Sequence, residues 1–460
     1  MKRDDQKLAS RVLRIDVIEQ GGQARPGCTA CEIDADVAFS TRHLESYCLV
    51  QWEPVIFDAL VVAAAVEFSD RIQRRQAHHW GRNFELLVPV HDPDRWSAPA
   101  VSAALKGALE FLTGDCWQIS FVARKVPAYV PQQFSFEVPG DARAIIAFSE
   151  GLDSRAVAGL MHREYGDGLI RVRLGTKQFE PPIKPSGKKQ PFTSIPYDVK
   201  PKTGAFVESS ARSRGFKFAT MSGIAAYLVK AEKIIVTESG QGSIGPVLVP
   251  VGQGYEDYRS YPLFTDRMEK FLHALFGHSV HFDFPRLWST KGETLAAFVK
   301  ECTDGSTWNK TRSCWQQTRH SSVAGKLRQC GICAACMLRR LSVHAAGLTE
   351  DRETYIWEDL ASPTFEGGAA SATEHITKSK FEYAIAGVLH LDHLAGLQKS
   401  PMDKVAIELA ITELSRSRGM TVDATRSAMS RLLNQHESEW MNFLDALGPH
   451  SFVTAWVGRP

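Results

Sequence analysis

The residues of this chain best suited to chemistry form the bend Ser149-Glu-Gly-Leu-Asp-Ser154. The run before it, Ala144–Phe148, is continuously apolar, which is typical of a strand in the middle of a parallel sheet. The residues after it, Arg155–Glu164, have helical periodicity. A helix that begins at such a bend offers unpaired backbone N–H groups and the positive end of its dipole. The segment therefore predicts a phosphate-binding site.

The side chains of the bend supply groups that a phosphate and its metal ion require. The hydroxyls of Ser149 and Ser154 can donate hydrogen bonds to phosphate oxygens, and Gly151 lets the backbone approach a ligand closely. Asp153 could orient the bend or reach a magnesium ion. The alternative is structural, because Ser and Asp are favoured helix caps. The chain has no Gly-x-x-x-x-Gly-Lys-Ser/Thr motif, which disfavours a Walker-type kinase or GTPase.

Four cysteines in the second half of the chain have the spacing of a metal site. Cys330, Cys333 and Cys336 are separated by two residues each, and Cys314 lies upstream. Four thiolates suit a closed tetrahedral site that holds Zn²⁺ structurally. An iron–sulfur cluster is the alternative, but no proline follows the last cysteine and the fourth lies upstream, which favours zinc. The isolated pair Cys28-Thr-Ala-Cys31 is interpreted as incidental, since no further Cys or His pair accompanies it.

Composition and charge disfavour several classes of function. The chain has 460 residues, of which 44% are hydrophobic and 23% charged, as in ordinary globular proteins, and its net charge is +2. The basic residues are scattered, which argues against a nucleic-acid groove or an anionic membrane as the main partner. The N-terminus leads into no apolar h-region, and the longest apolar run, Ala59–Val66, is too short to span a bilayer. We expect a cytoplasmic protein with reduced cysteines.

The elements that must position these residues suggest three domains, over residues 1–140, 141–360 and 361–460. The first is expected to be an α+β domain. Its predicted helices and strands are Asp58–Gln73, Phe84–Val90, Ala98–Leu112 and Trp117–Val122. The second alternates strands with helices, which predicts a doubly wound parallel sheet. It is interrupted by the Pro- and Lys-rich stretch Gly175–Phe206, interpreted as a lid or partner-binding loop.

The third domain is expected to be helical. It begins with Ala361–Ser379, a stretch rich in Gly, Ala, Ser and Thr that is typical of a linker. Apolar residues at helical spacing then predict the helices Lys380–Leu397, Met402–Arg418, Val422–Leu433 and Glu437–Leu447.

The bend resembles the Ser-Gly-Gly-Leu-Asp-Ser loop of the PP-loop ATP pyrophosphatases, with Glu150 in place of the second glycine. The four-cysteine segment and two others, Glu208–Phe216 and Thr290–Glu293, resemble those of the 7-cyano-7-deazaguanine synthase family, QueC. The likeness runs from about Ala144 to Gly347. It implies a doubly wound parallel sheet of the PP-loop, adenine nucleotide alpha hydrolase-like type, flanked here by the N-terminal α+β and C-terminal helical domains.

The resemblance also implies roles for individual residues. Catalytic roles would belong to Ser149, Asp153, Ser154 and Lys291. Binding of ATP and Mg²⁺ would belong to Ser149, Glu150, Gly151, Leu152, Asp153, Ser154, Arg155, Arg212 and Arg214. A structural Zn²⁺ would be held by Cys314, Cys330, Cys333 and Cys336. The cations Arg212, Arg214 and Lys291 could offset charge developing on the phosphates, although each also fits a plain surface cation.

In the QueC family, the resemblance implies, ATP adenylates the carboxylate of 7-carboxy-7-deazaguanine, ammonia gives an amide, and a second ATP gives the nitrile. In length the chain is most similar to the QueC-like proteins of bacterial anti-phage operons, including CBASS and Qat systems. There the acyl group is thought to pass to an amine of a partner protein. We therefore expect an ATP-dependent ligase that acts on a 7-deazaguanine carboxylate, with a protein acceptor encoded nearby.

Three alternatives to this expectation stay open. Ammonia could be the acceptor, which would make the chain a 7-cyano-7-deazaguanine synthase. The chain could instead be a non-catalytic, zinc-stabilised scaffold in which Glu150 blocks the nucleotide. A tRNA-modifying role, as in other PP-loop enzymes, is disfavoured by the neutral charge balance. The sequence leaves a homodimer open.

Overall fold

The computed structural model describes residues 12–40, 44, 52–76, 81–127, 142–149, 151–174, 195, 197–251, 255–316, 322–323, 325–371, 373 and 376–458. Glu150 and most of the Pro- and Lys-rich stretch, residues 175–194 and 196, lie outside the described residues. The predicted effect of Glu150 on the nucleotide and the predicted lid therefore stay predictions.

The strands are, in chain order, β1 (Val12–Ile18), β2 (Thr29–Glu32), β3 (Val37–Phe39), β4 (Asn83–Val90), β5 (Cys116–Ala123), β6 (Ala144–Ala147), β7 (Leu169–Val172), β8 (Tyr197–Val199), β9 (Lys233–Ile235), β10 (His281–Asp283), β11 (Ser322–Val323) and β12 (Lys326–Leu327). The α-helices are α1 (Pro54–Ile72), α2 (Pro93–Ser97), α3 (Pro99–Thr113), α4 (Leu152–Tyr165), α5 (Arg214–Val229), α6 (Gly240–Ser243), α7 (Gly245–Leu248), α8 (Pro262–Phe276), α9 (Lys291–Glu301), α10 (Ala334–Ala345), α11 (Lys378–Gly396), α12 (Lys404–Arg418), α13 (Val422–Leu447) and α14 (Phe452–Trp456). Short 3₁₀ helices span Gly166–Gly168, Gly305–Lys310, Arg352–Thr354, Glu366–Gly368 and Leu397–Lys399.

The chain divides into two compact units, each built from separate stretches of sequence. The first comprises Met1–Phe148, Tyr165–Val236 and Asp257–Asp283, and the second comprises Ser149–Glu164, Thr237–Glu256 and Phe284–Pro460. Each unit thus draws on more than one of the continuous segments that the sequence suggests. Whether residues 1–140, 141–360 and 361–460 fold as domains stays a prediction.

The first unit contains two four-stranded parallel sheets with the same arrangement. One has the order β2-β1-β4-β5 and the other β10-β9-β6-β7. In each, the first strand along the chain is internal, the second lies on one side of it, and the last two lie on the other. The strand order therefore reverses beside β1 in one sheet and beside β6 in the other. In parallel sheets, ligands bind outside the carboxyl ends of the strands at such a reversal. These sheets make the fold α/β.

The expectation of an α+β N-terminal domain needs correction, because every pairing in its four-stranded sheet is parallel. Helices α2 and α3 supply the crossover from β4 to β5, as parallel pairing requires. The alternation over Trp117–Val122 arises because β5 is the edge strand of this sheet and has one face covered. Alternation of this kind reports burial of one face and not the direction of the neighbouring strand.

Helices cover both sheets of the first unit. Helices α1 and α3 contact the first sheet, α5 and α8 contact the second, and α1 packs on α5 as α3 packs on α8. Helix α1 is buried over most of its length because its run of Val, Ala and Phe is apolar on nearly every side. Pro54 fits its first turn, where an N–H has no partner within the helix.

The second unit is mainly helical and has two hydrophobic clusters. One joins α4, α9 and α10 through Leu152, Ala156, Leu295, Phe298, Trp308 and Val343. The other surrounds the cysteines and includes Trp357, Phe365, Trp440 and Phe452. The first cluster fixes the start of α4 against α9, because Leu152 and Leu295 are both buried in it.

Two predictions for the C-terminal part differ from the structure. The sequence predicts separate helices over Val422–Leu433 and Glu437–Leu447, but the structure has one helix, α13, across both. The polar residue His436 between them does not interrupt the helix, because it is fully buried and hydrogen-bonded. Part of the expected linker is packed into the core. Phe365 is 3% exposed, stacks on Trp357 with ring centroids 4.8 Å apart, and accepts a hydrogen bond from the Trp357 indole through its carbonyl.

Candidate functional site

The bend after β6 is held by its own serine hydroxyls. Ser149 Oγ lies 2.9 Å from Ser154 Oγ and accepts a hydrogen bond from the Gly151 amide at 3.1 Å. A Cβ on Gly151 would lie 3.1 Å from Ser149 Oγ, so a side chain here would press on the bend. Ser149 is exposed, whereas Ser154 is buried in the first turn of α4. The expected location between a buried strand and a helix is confirmed.

Asp153 forms a buried ion pair with Lys291. The Lys291 ammonium donates a hydrogen bond to Asp153 Oδ2, and the two side chains are 8% and 10% exposed respectively. The other carboxylate oxygen, Asp153 Oδ1, is buried and has no hydrogen-bond partner among the described residues. A buried carboxylate oxygen without a donor is costly, and a cation or a donor supplied by a ligand would satisfy it.

Lys291 is held in place at the first turn of α9. Thr290 caps the helix by accepting from the Glu293 amide at 3.0 Å, while the Glu293 carboxylate accepts from the Thr290 amide at 2.8 Å. The Thr-Lys-x-Glu segment is therefore a capping box. It fixes the start of α9 independently of any role in substrate binding. Arg431 of α13 pairs with Glu293 at 2.7 Å and secures it.

A buried polar chain supports the backbone of Lys291. Its amide donates to Gln241 Oε1 at 2.7 Å, and Gln241 Nε2 lies 2.7 Å from Nδ1 of His436. The other ring nitrogen of His436 lies 2.9 Å from the Leu391 carbonyl oxygen, so His436 donates there and accepts from Gln241. Burial lowers the pKa of His436 to about 4, which keeps the ring neutral and able to accept.

Glu439 of α13 contacts Thr290, the residue before Lys291. Thr290 donates a hydrogen bond to Glu439 Oε1 at 2.5 Å, and Gln435 donates to the same oxygen at 3.1 Å. Glu439 Oε2 is buried without a partner among the described residues. Burial raises the pKa of Glu439 to about 7, so near neutral pH the carboxyl is part protonated.

The predicted arginines have different surroundings. Arg155 follows the bend and donates to Thr307 Oγ1 at 3.3 Å. Arg212 is half-buried, and burial lowers the pKa of its guanidinium. Arg214 is exposed, begins α5 and lies with its guanidinium 5.4 Å from the centroid of the Phe218 ring. Arg212 and Arg214 belong to the first unit, and their part in binding phosphate stays a prediction.

The four predicted cysteines come together. The sulfur atoms of Cys314, Cys330, Cys333 and Cys336 all lie within 4.8 Å of one another, and those of Cys330 and Cys336 are 3.8 Å apart. Tetrahedral Zn–S bonds of about 2.3 Å require sulfur atoms about 3.8 Å apart, so the cluster can hold a structural metal such as zinc. Cys314 is half-buried and the others are buried, which closes the site to a substrate.

The backbone around the cluster is shaped for thiolates. The Cys330 amide donates a hydrogen bond to the sulfur of Cys314 at 3.2 Å, and the Cys333 amide donates one to the sulfur of Cys330 at 3.3 Å. Gly331 between them has φ +84°, and a Cβ there would lie 3.0 Å from the Trp357 carbonyl oxygen, so only glycine fits. Burial raises the pKa of Cys336, whereas hydrogen bonds from the other thiols lower that of Cys314. Four thiolates this close and this buried need a cation.

Arg339, which follows the cysteines, is a structural residue. Its side chain is fully buried and donates to Glu350 at 2.9 and 2.8 Å and to Thr311 Oγ1 at 2.6 Å. It thereby ties α10 to the segment leading into Cys314.

The structure thus brings Ser149 to Ser154, Asp153 to Lys291, and the four cysteines together. Sequence reasoning missed Gln241, His436 and Glu439, because isolated polar residues in helices give no signal until the residues packed against them are known. None of the helices in the described part of the chain has the length and apolar character that crossing a bilayer requires. Comparison of the sequence with known proteins finds no matching family model and no matching curated protein.

Proposed function

We propose that this chain is a QueC-like, PP-loop-type ligase. It would activate a 7-deazaguanine carboxylate with ATP. It would then transfer the acyl group to an amine of a partner protein in anti-phage defence. The substrate and the acceptor are taken from the sequence resemblance. The observation that carries the reaction class is the bend Ser149–Ser154, with Asp153 in the first turn of α4 and its Oδ1 buried without a hydrogen-bond partner among the residues that the structure describes.

The bend lies where the chain passes from a strand of a parallel sheet into a helix. It follows β6, the strand beside which the order of its sheet reverses, and ligands of parallel sheets bind there. The first turn of α4 offers backbone N–H groups and a positive dipole end to a leaving pyrophosphate. A loop that binds pyrophosphate as it forms would stabilise charge that develops in the transition state.

The chemistry that such a bend would assist has two steps. A carboxylate oxygen attacks the α-phosphorus of ATP, the bond to the β-phosphate oxygen breaks, and pyrophosphate leaves with that electron pair. An amine then attacks the acyl carbon, AMP leaves, and the amine loses a proton. The first step is needed because carboxylate oxygen is a poor leaving group and AMP is a good one.

Two metal ions fit the residues present. Zn²⁺ suits the buried four-cysteine cluster, where it would stabilise the fold without taking part in the reaction. Mg²⁺ suits Asp153 Oδ1, since Mg²⁺ is usually held by one or two carboxylates together with substrate phosphates. Mg²⁺ would neutralise phosphate charge, and Lys291 would hold Asp153 in position through Oδ2.

The proposal is tested by incubating the full chain with Mg-ATP and 7-carboxy-7-deazaguanine and identifying the nucleotide products. AMP and pyrophosphate are expected; ADP would overturn the proposal. Asp153→Asn and Ser154→Ala should abolish product formation. Lys300→Ala, an exposed lysine of the same helix as Lys291, is the matched control and should leave it unchanged.

The acceptor is identified by mass spectrometry of co-expressed neighbouring proteins. A mass increase on one protein equal to the mass of 7-carboxy-7-deazaguanine less one water would support the protein-amine reaction. The nitrile, formed with ammonia and a second ATP, would instead make the chain a 7-cyano-7-deazaguanine synthase.

A non-catalytic scaffold is the second candidate, and the Asp153–Lys291 pair favours it. Lys291 already occupies one oxygen of the carboxylate that would serve Mg²⁺. A scaffold would bind no Mg-ATP, and calorimetry with Mg-ATP and the intact chain separates the two candidates.

A further inference from the structure

The carboxyl edge of the N-terminal sheet carries a second group of polar residues, apart from the bend. Glu19 follows β1, His91 follows β4 and Arg124 follows β5. His91 and Arg124 come directly after Val90 and Ala123, which are paired in register, and the Arg124 amide donates to the Val90 carbonyl at 2.8 Å. These three residues therefore lie side by side at the ends of neighbouring strands, where the strand order reverses beside β1.

Arg124 is held in a fixed orientation. Its Nε donates to Glu19 at 3.0 Å, and its guanidinium lies over the Phe57 ring, 4.3 Å from the centroid. The side chain is 7% exposed. Nonetheless its Nη1 is buried and has no hydrogen-bond partner among the described residues. A charged donor left without an acceptor in the interior is costly, and an acceptor supplied by a ligand would satisfy it.

His91 is oriented towards the same ring. Asp58 of α1 lies 2.7 Å from His91 Nδ1 and accepts from the His91 amide at 2.9 Å. The imidazole meets Phe57 edge-on, with ring centroids 5.9 Å apart. Because Nδ1 is engaged, Nε2 is the nitrogen left for a ligand, and it has no partner among the described residues. The side chain is 12% exposed.

The donor and acceptor balance decides what would bind. Glu19 accepts hydrogen bonds from Arg124 Nε at 3.0 Å and from the amides of Lys125 and Val126 at 2.9 Å, and each oxygen of Asp58 is bonded to His91. The acidic groups are therefore occupied, whereas Arg124 keeps an N–H to donate, and His91 can donate from Nε2 when both of its ring nitrogens carry a proton. A purely structural role accounts for the hydrogen bonds of Glu19 and Asp58. It leaves unexplained the N–H of Arg124 Nη1, which is buried and has no hydrogen-bond partner in the described part of the chain.

We propose that this edge of the sheet is a binding site for a small oxyanion, the phosphate or carboxylate group of a metabolite, held by N–H donors on Arg124 Nη1 and on Nε2 of the His91 imidazolium. Guanidinium N–H groups bind such oxygens strongly when they are already oriented. The site shares no residue with the bend Ser149–Ser154 and does not depend on the proposed ligase activity.

The test measures the rate at which diethylpyrocarbonate modifies His91 in the intact chain, by peptide mass spectrometry. Inorganic phosphate and acetate are compared with chloride at equal ionic strength. We expect phosphate, acetate or both to slow modification of His91 by about fivefold or more at concentrations several times a millimolar Kd. The anion that protects identifies the ligand chemistry. His281, whose side chain is 62% exposed, is the internal control and should react at an unchanged rate. This readout does not involve the bend, so it is independent of the ligase assay.

Variants complete the test. Arg124→Gln should abolish the protection, and Arg14→Gln, an exposed arginine of the same sheet near its amino end, should retain it. If Arg124→Gln does not fold, Arg124→Lys keeps the positive charge but removes the planar fork and should weaken protection several-fold. No protection by either anion, or equal protection in Arg124→Lys and wild type, would overturn the proposal.

Discussion

Lys291 donates a hydrogen bond to Asp153, a residue 138 positions earlier in the chain, inside the second unit. The pair joins the first turn of α4 to the first turn of α9, and Leu152 beside Asp153 is buried against Leu295 of α9. The ion pair is therefore placed by hydrophobic packing on both sides. It links the predicted phosphate bend to Lys291, which lies in the same unit as the bend, whereas Arg212 and Arg214 lie in the first unit.

Replacing Lys291 by Met should destabilise the protein strongly, because Asp153 would remain as a buried carboxylate without its partner. Loss of one member of a buried pair costs about 3–5 kcal/mol in the free energy of unfolding. The measurement is urea unfolding of wild type and Lys291→Met. The double variant Asp153→Asn/Lys291→Met should recover much of the lost stability, since the buried charge is gone. A double variant as unstable as Lys291→Met would show that the loss of stability does not come from leaving the Asp153 carboxylate unpaired.

Replacing Cys336 by Ser should remove the bound metal. Wild type is expected to contain about one zinc per chain by elemental analysis, and Cys336→Ser well under half of that, with a lower melting temperature. Cys116→Ser, at an exposed cysteine outside the cluster, should keep both the metal and the stability. Iron with its visible absorption in place of zinc would contradict the zinc assignment. Full stability of a metal-free Cys336→Ser variant would contradict the structural role.

His436 should make stability depend on pH in the acid range. Its pKa is lowered from 6.5 to about 4 by burial, so between these values the unfolded chain binds a proton that the folded chain does not. The stabilisation is complete above about pH 6.5 and is lost as the pH falls towards 4, by up to about 3 kcal/mol. Urea midpoints at several pH values measure it.

A variant separates His436 from the other buried histidine. His390 has its pKa lowered to about 4 by burial as well and would contribute a slope of the same sign. His436→Gln should therefore reduce the pH dependence below pH 6.5 without abolishing it. A slope identical to that of wild type would show that His436 is protonated equally in both states.

Glu439 should make the stability depend on pH in the opposite direction from His436. Its pKa is raised from 4.5 to about 7, so the folded chain binds a proton that the unfolded chain has released. The stabilisation is present below about pH 4.5 and is lost as the pH rises through 7. Glu439→Gln keeps the shape without the charge. As the pH rises from 5 to 8, the unfolding free energy of Glu439→Gln should therefore increase relative to that of wild type by on the order of 2 kcal/mol. A constant difference between the two proteins across this range would refute it.

The sequence by itself determined the parts of the candidate site that are local. The bend Ser149–Ser154 and the run Cys330–Cys336 are short, and their turn and helix geometry follows from residue types a few positions apart. The parallel sheet of the middle region follows from apolar runs alternating with helical patterns. The continuity of α13 was missed, because a polar residue such as His436 is an interruption in sequence and a satisfied interior group once packed.

Only the tertiary structure decided which distant groups meet. The ion pair of Asp153 with Lys291, the chain from Gln241 to His436, and the burial of Glu439 depend on how helices pack, and packing is set by the whole apolar surface of each helix. The ends of β1, β4 and β5 came together for the same reason: neighbouring parallel strands end at one edge, but their order in the sheet cannot be inferred from any one of them.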